Sequence, residues 1–201
     1  MKLKVLSKRE EFRNSFSIIF EKPPNFQFYP GQYLDIGLPV RDPRGQTRIM
    51  SISSSPSEDF LMITYLTGVS PYKMAMQNLK PGDIVESSHP AGTVVIDDSS
   101  PLVFLAGGVG IAPHRSMIKW AVDQKLDLPI TLIYSNSDPD FIYKKELDEW
   151  LRIYPQLTIH YVVTSQDDRL NEAKLYTIVN TLADRIFYLA GPPAMVDDFE
   201  D

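Results

Sequence analysis

The stretch LAGGVGIAPHRSM, residues 105–117, sets three glycines and a proline directly behind an apolar run, and its reading decides the fold. Gly107, Gly108 and Gly110 let the backbone come close to a ligand, and Pro113 suits a first helical turn, where an N–H would be unpaired anyway. Ile111 and Ala112 carry the apolar pattern into the helix. A pyrophosphate at such a turn would meet free N–H groups and the helix dipole. Where a dinucleotide fingerprint has its third glycine, this loop has Pro113, and a tight strand-to-helix turn without a ligand shows the same glycines. The loop alone leaves both readings open.

Around it the sequence has the grammar of an α/β domain. PLVFLAG, PITLIYSN, LTIHYVVTS and RIFYLAG are nearly continuous apolar runs, as strands buried on both faces require. Helical patterns lie between them: Met117, Ile118, Ala121 and Val122; Tyr143, Leu147, Trp150 and Leu151; and Leu175, Ile178, Val179 and Leu182, the last opened by Asn171 as N-cap. Strand alternating with helix implies a parallel sheet. A second glycine turn, YLAGPPAM at 188–195, closes the last strand, so a ligand at the carboxyl ends of the strands would lie across both turns.

Residues before about 97 read differently. LKVLSKREEF, SFSIIFEK, QYLDIGLP, TRIMSIS, FLMITYL and TVVI are short, β-branched or aromatic segments separated by proline and glycine, as in a small antiparallel barrel. PYKMAMQNL, with Pro71 after Ser70, is the one helical interruption. The expected organisation is a β domain over 1–98 and an α/β domain over 99–201.

Composition narrows the function classes. The chain has 201 residues, 43% hydrophobic and 23% charged, which suits two globular domains. Its net charge of −6 argues against nucleic acid as a partner. It has no cysteine, so disulfides and cysteine-ligated metal clusters are excluded within it, and its three histidines are too scattered for a metal motif. No apolar run is long enough for membrane insertion as a helix, and the N-terminus lacks a signal-peptide core, so a cytoplasmic location is expected.

Four landmarks now stand in order: Pro30-Gly31-Gln32-Tyr33; Arg48-Ile49-Met50-Ser51 with Ser53 and Ser54; Gly107 to Pro113; and Ala190-Gly191-Pro192-Pro193. Gly68-Val69-Ser70 before the short helix is a fifth. Together they span nearly the whole chain, which resembles the ferredoxin-NADP reductase superfamily: flavin-dependent reductases with an N-terminal flavin-binding barrel of Greek-key type and a C-terminal Rossmann-like nicotinamide-nucleotide domain.

The resemblance implies a flavoprotein reductase that moves hydride from NADH or NADPH to bound flavin and passes electrons to a separate acceptor, a protein or a small molecule. Arg48 would neutralise flavin phosphate, Met50 would pack on the flavin, and Ser51 would hydrogen-bond near flavin N5. Gly68, Val69 and Ser70 would offer helix-start amides to the phosphates. Gly107, Gly108, Gly110, Ile111, Ala112 and Pro113 would hold the nucleotide, with Gly191, Pro192 and Pro193 opposite and Ala190 beside the nicotinamide. The chemistry then rests on stacking two rings at roughly 3 to 3.5 Å and excluding water.

The chain departs from the family pattern at Met50, where an aromatic residue is usual, at Ala190, where cysteine is frequent, and at its C-terminus, where the second domain reads as short. Phe199 is a candidate cap for the flavin ring. Tyr65 is a ring contact or barrel packing, and His114 a phosphate contact or an ordinary helix-start residue. The segment Tyr134 to Asp138 offers no cation for a 2'-phosphate, which favours NADH unless Lys144, Lys145 or Arg169 reaches it. FAD is favoured over FMN as the family majority. The acidity makes a neutral or basic acceptor more natural than a strongly acidic ferredoxin. The reading from another class is a non-catalytic flavin- or nucleotide-binding regulatory or electron-transfer subunit of a larger complex.

Overall fold

Alternation of buried and exposed residues builds the first half of the molecule. The computed structural model describes residues 1–166 and 170–199. Strands β1 (Lys2–Phe12), β2 (Ser15–Glu21), β3 (Tyr33–Gly37), β4 (Thr47–Ser51), β5 (Phe60–Leu66) and β6 (Ile84–Ser87) form one antiparallel sheet in the order β4-β3-β6-β1-β2-β5. Leu34 and Ile36 point inward while Tyr33 and Asp35 point out, the period-2 pattern of a half-buried strand. A bridge between Ile52 and Ile63 brings the end of β4 to β5 and curls the two sheet edges together into a barrel. Leu3, Val5, Ile18, Phe20, Leu61 and Ile63 fill it, and helix α1 (Pro71–Asn78) covers one opening with Tyr72 and Met76. The α1 start is as its sequence suggests: Ser70 Oγ accepts the Lys73 N–H at 3.3 Å and Pro71 lies in the first turn.

The second half is a parallel sheet of β7 (Leu102–Gly107), β8 (Ile130–Asn136), β9 (Leu157–Val163) and β10 (Ile186–Ala190) in the order β10-β7-β8-β9. Helices α2 (Ile111–Gln124) and α3 (Lys144–Ile153) cover one face, and α4 (Glu172–Val179) covers the other. Every residue of β7 is buried: Leu102, Phe104 and Ala106 join the α2–α3 core, Val103 and Leu105 the α4 core. Asn171 caps α4 through Oδ1, which accepts the Lys174 N–H at 2.9 Å. The chain winds outward from β7 to β9 and then returns to β10 on the other side of β7. That reversal makes the β7/β10 boundary the switch point of the sheet, where such folds bind ligands.

One expected strand does not form. TVVI, 93–96, belongs to neither sheet and crosses between them as a strap: Tyr188 Oη donates to Val95 O at 2.7 Å and Ile96 N to Pro30 O at 3.3 Å. These scattered partners satisfy Val95 O and Ile96 N in place of a ladder, while Val94 is 60% exposed. A short helix α5 (Pro193–Asp197) follows β10.

Candidate functional site

Both glycine turns sit at the carboxyl ends of their strands, one on each side of the switch point. Gly107 ends β7, a single 3-10 turn spans Gly108–Gly110, and Pro113 falls in the first turn of α2. Gly108 has φ +53, a conformation that glycine adopts without strain. Tyr134 Oη, on β8, donates to Gly108 O at 2.9 Å and holds the loop from below. At Gly110 a side chain has no room: a Cβ would drive into the Ala190 carbonyl and lie 2.8 Å from Gly191 N. The two turns therefore touch backbone to backbone.

Two cavities open on these turns. The smaller, about 310 Å³, is walled by Gly107, Gly108 and Pro192 on one side and by Ser135, Asn136 and Ser137 after β8 on the other. Thr164 and Asp198 complete its polar lining, and among the described residues no lysine or arginine reaches it. The larger, about 470 Å³, is a cleft between the two halves of the molecule. The barrel contributes Ile49, Met50 and Ser51 from β4, Thr64, Tyr65 and Leu66 from β5, and Tyr72, Lys73 and Met76 from α1. The parallel domain contributes Val109, Gly110, Ala112 and Pro113, then Ala190, Gly191 and Val196.

The sequence-derived site is thus partly assembled in one place. Met50, Ser51, Gly110, Ala112, Pro113, Ala190 and Gly191 meet in the cleft, and Gly107, Gly108 and Pro192 line the adjoining cavity. Arg48, Gly68, Val69, Ser70, Ile111 and Pro193 line neither; Ile111 is in the α2 core and Val69 is 93% exposed. Lys73 is a cleft residue that sequence reading missed, although its place three residues after the Ser70 cap was a signal for it. Arg169 lies outside the described residues.

Polar groups at the cleft have distinct environments. Tyr65 is 4% exposed, its hydroxyl has no protein partner, and burial pushes its pKa up to about 12. Thr64 Oγ1 bonds Tyr143 Oη and Ser17 Oγ, so a buried hydroxyl chain runs from the cleft wall into the domain interface. Two residues weighed as ligand contacts are otherwise engaged. His114 is buried, stacked on Phe104 with ring centroids 4.9 Å apart, and burial lowers its pKa to about 3. Phe199 packs against the α4 side of the sheet, away from the cleft.

The interface holding the cleft walls together centres on Arg115 of α2, 3% exposed. Its guanidinium grips Glu58 of the barrel through two bonds of 2.9 and 3.0 Å, Glu146 of α3 at 2.7 Å, and Ser53 O at 2.7 Å. The rings of Tyr143 and Trp150 flank it at 5.2 and 5.4 Å. Burial opposes its charge, but the two carboxylates more than offset that and hold its pKa above the ordinary arginine value. Beside it Ser116 Oγ donates to Ser54 O at 2.6 Å. Among the described residues no group of three His, Asp or Glu could hold a metal ion, and no helix is long and apolar enough to cross a membrane.

Comparison with known proteins agrees with this arrangement. Residues 104–201 match the oxidoreductase NAD-binding domain family. The chain is 30% identical over 184 residues to terephthalate 1,2-dioxygenase reductase component 2 of Comamonas sp, covering 85% of this chain and 53% of that protein. It superposes on ferredoxin-NADP+ reductase of Plasmodium falciparum with 2'P-AMP with a TM-score of 0.83 at 19% identity, covering all of this chain and 91% of that one. Against a ferredoxin NADP+ reductase of Neisseria gonorrhoeae with bound FAD and NADP the TM-score is 0.82 at 22% identity, covering 98% and 87%. The chain spans about half the length of the curated relatives it matches. Residues 104–201 are thus similar to the oxidoreductase NAD-binding domain family, and the chain as a whole has the two-domain fold of the ferredoxin-NADP+ reductase structures.

Proposed function

We propose that the chain is a reductase that oxidises a reduced nicotinamide nucleotide at a flavin held in the interdomain cleft and delivers the electrons to a separate acceptor. The observation that carries this reading is the cleft itself, whose two walls come from different domains and bring Met50 and Ser51 opposite Ala190 and Gly191. In this division, residues 1–98 hold the flavin and 99–201 the nucleotide.

The residues fit a flavin on observations independent of the motif. A buried tyrosine hydroxyl without a partner faces the cleft, and Ile49 and Leu66 line it while remaining 65% and 44% exposed, apolar surface that a planar ring would cover. A flavin bound there supplies two-electron acceptance from the nicotinamide and one-electron release to the acceptor. The protein's part is geometric. Met50 offers a polarisable thioether to a ring face, Ser51 a hydroxyl at the cleft wall, and Ala190 a small side chain that leaves room for the nicotinamide. The 107–113 loop presents backbone amides to the nucleotide phosphates. The phosphate end of the flavin belongs on the α1 side, where Gly68, Val69, Ser70 and Lys73 gather, with Arg48 behind them.

NADH is the donor we favour. The cavity after β8, which would take the adenosine ribose, shows hydroxyl and amide groups and the Asp198 carboxylate, and Asp138 next to it is held by Arg13 at 2.8 Å. FAD is the favoured flavin, in keeping with the relatives, with FMN as the alternative. The acceptor is another protein, an oxygenase component in the manner of the named relatives, or a small molecule, and the net charge of −6 suits a neutral or basic one.

The deciding experiment is the visible spectrum of the protein with FAD under anaerobic conditions, before and after NADH and, separately, NADPH. Bleaching of the flavin, faster with NADH, is the expected result. Bound flavin that stays oxidised with both nucleotides would overturn the reductase and favour a non-catalytic binding subunit.

A further inference from the structure

The two cleft walls are joined directly behind the point where they meet. Ser51 of the barrel and Pro113 of α2 line the cleft together. Two residues after Pro113, Arg115 Nη1 donates to the carbonyl of Ser53, two residues after Ser51, at 2.7 Å. One residue further along each segment, Ser116 Oγ donates to Ser54 O at 2.6 Å. Consecutive residues of the helix thus meet consecutive carbonyls of the β4–β5 turn in the same order. Ser53, Ser54 and Ser116 are fully buried, and Arg115 nearly so.

The turn that receives these bonds is itself fixed to β5. Ser53 donates from N and from Oγ to Met62 O at 2.8 and 3.0 Å, and Met62 N donates to Ser54 Oγ at 3.0 Å. An ion pair that served stability alone would end at Glu58 and Glu146. Here the planar fork of the guanidinium serves Glu58, Glu146 and a main-chain carbonyl together, and a carbonyl bond carries direction as well as attraction. Sliding or turning α2 against the turn would break both carbonyl bonds at once, in a region closed to water. The register of Pro113 against Ser51 is therefore set behind the cleft, by side chains that line neither of its cavities.

We propose that Arg115, assisted by Ser116, is a positioning residue for hydride transfer: it holds the nicotinamide wall at a fixed depth and register against the flavin wall and touches neither ring. The proposal rests on the cleft being the place where those rings meet. The hydride leaves nicotinamide C4 with its electron pair and arrives at flavin N5, leaving an oxidised nucleotide and a reduced flavin. Its rate depends steeply on placement, and a shift of about 1 Å costs on the order of 100-fold. Affinity rests on contacts spread along each whole molecule, so it changes little.

The test separates transfer from binding in the whole chain loaded with FAD. Arg115→Lys keeps a cation between the two carboxylates but not the fork that also reaches Ser53 O, and Ser116→Ala removes the second bond alone. Arg115→Lys should lower the limiting rate of flavin reduction at saturating NADH roughly 10- to 100-fold, while the affinities for FAD and ADP stay within about threefold. Ser116→Ala should give a smaller loss of the same kind, and it decides alone if Arg115→Lys does not fold. A second readout needs no turnover. A tetrahydro analogue of NADH, which has no hydride to give, should raise a long-wavelength charge-transfer absorbance with bound FAD in the unaltered chain and a weaker one in the variants. The proposal is overturned if the variants keep either the limiting rate or the absorbance, whatever their melting temperature, or if FAD affinity falls by the same factor as the rate. An unaltered chain that binds no FAD, shows no such absorbance or is reduced by neither nucleotide overturns the reductase function of the cleft, and the proposal with it.

Discussion

Single residues at the switch point have costs that differ by environment. Gly110 and Gly108 lie two positions apart, yet a side chain at Gly110 would strike the backbone of the Ala190–Gly191 turn, whereas Gly108 has nothing within 4 Å and only a positive φ to satisfy. Gly110→Ala is expected to cost about 2 kcal/mol through overpacking and to weaken nucleotide binding, because the turns must part. Gly108→Ala should cost about 1 kcal/mol through backbone strain alone. Thermal melts of the two variants, with nucleotide titrations, check the contrast. His114 gives a pH signature. Its folded pKa of about 3 lies below the ordinary 6.5, so between those values the unfolded chain binds the extra proton and stability falls as pH drops below about 6.5. The loss attributable to it from pH 7 to pH 5 is about 2 kcal/mol. Denaturant midpoints at the two pH values should show that part of the loss disappear in His114→Phe, which keeps a ring on Phe104. An unchanged pH dependence in the variant would count against a neutral buried imidazole. Neither the burial of His114 nor that of Arg115 was legible in the sequence, since polar residues early in a helix read as solvent-facing until the sheet and barrel beneath them are known.

Elements were more legible than residues. The α1 start followed from Ser70 and Pro71, the α4 cap from Asn171, and the parallel strands from their unbroken apolar runs, because each of these signals is local. TVVI failed for the opposite reason. Its β-branched residues suit a strand, but its partners are Pro30 and the Tyr188 side chain, both far away in sequence, so no local signal marks it as a strap. Helix α2 shows how one element serves two purposes: its first turn lines the interdomain cleft with Ala112 and Pro113, and one turn later Arg115 fastens it to the barrel. Removing that fastening should be costly. Arg115→Met leaves Glu58 and Glu146 without their shared cation, and the expected loss is about 3 kcal/mol, at the low end for a buried pair because Glu146 keeps some contact with water. Chemical denaturation checks the magnitude. A change below about 1 kcal/mol would mean that the interface is held by its other contacts.

At the scale of the molecule, the position of the cleft was legible before its width. The family resemblance implied one ring for each domain, but the distance between the walls depends on the Arg115 contacts, the Thr64–Tyr143 hydroxyl pair and the TVVI strap, none of which has a sequence signature. The exposed Arg13–Asp138 pair at the rim adds little by comparison. The interface has one further property. The chain has two tryptophans, and one of them, Trp150, is packed against the Arg115 guanidinium at the seam between the domains. A charge held against an indole perturbs its emission, and because Arg115 and Trp150 belong to the same domain, parting of the halves would take Glu58 of the barrel away from that guanidinium, so the indole reports whether this contact is made. With Trp120 replaced by phenylalanine, the remaining fluorescence would follow opening and closing of the seam in real time, with no dye attached.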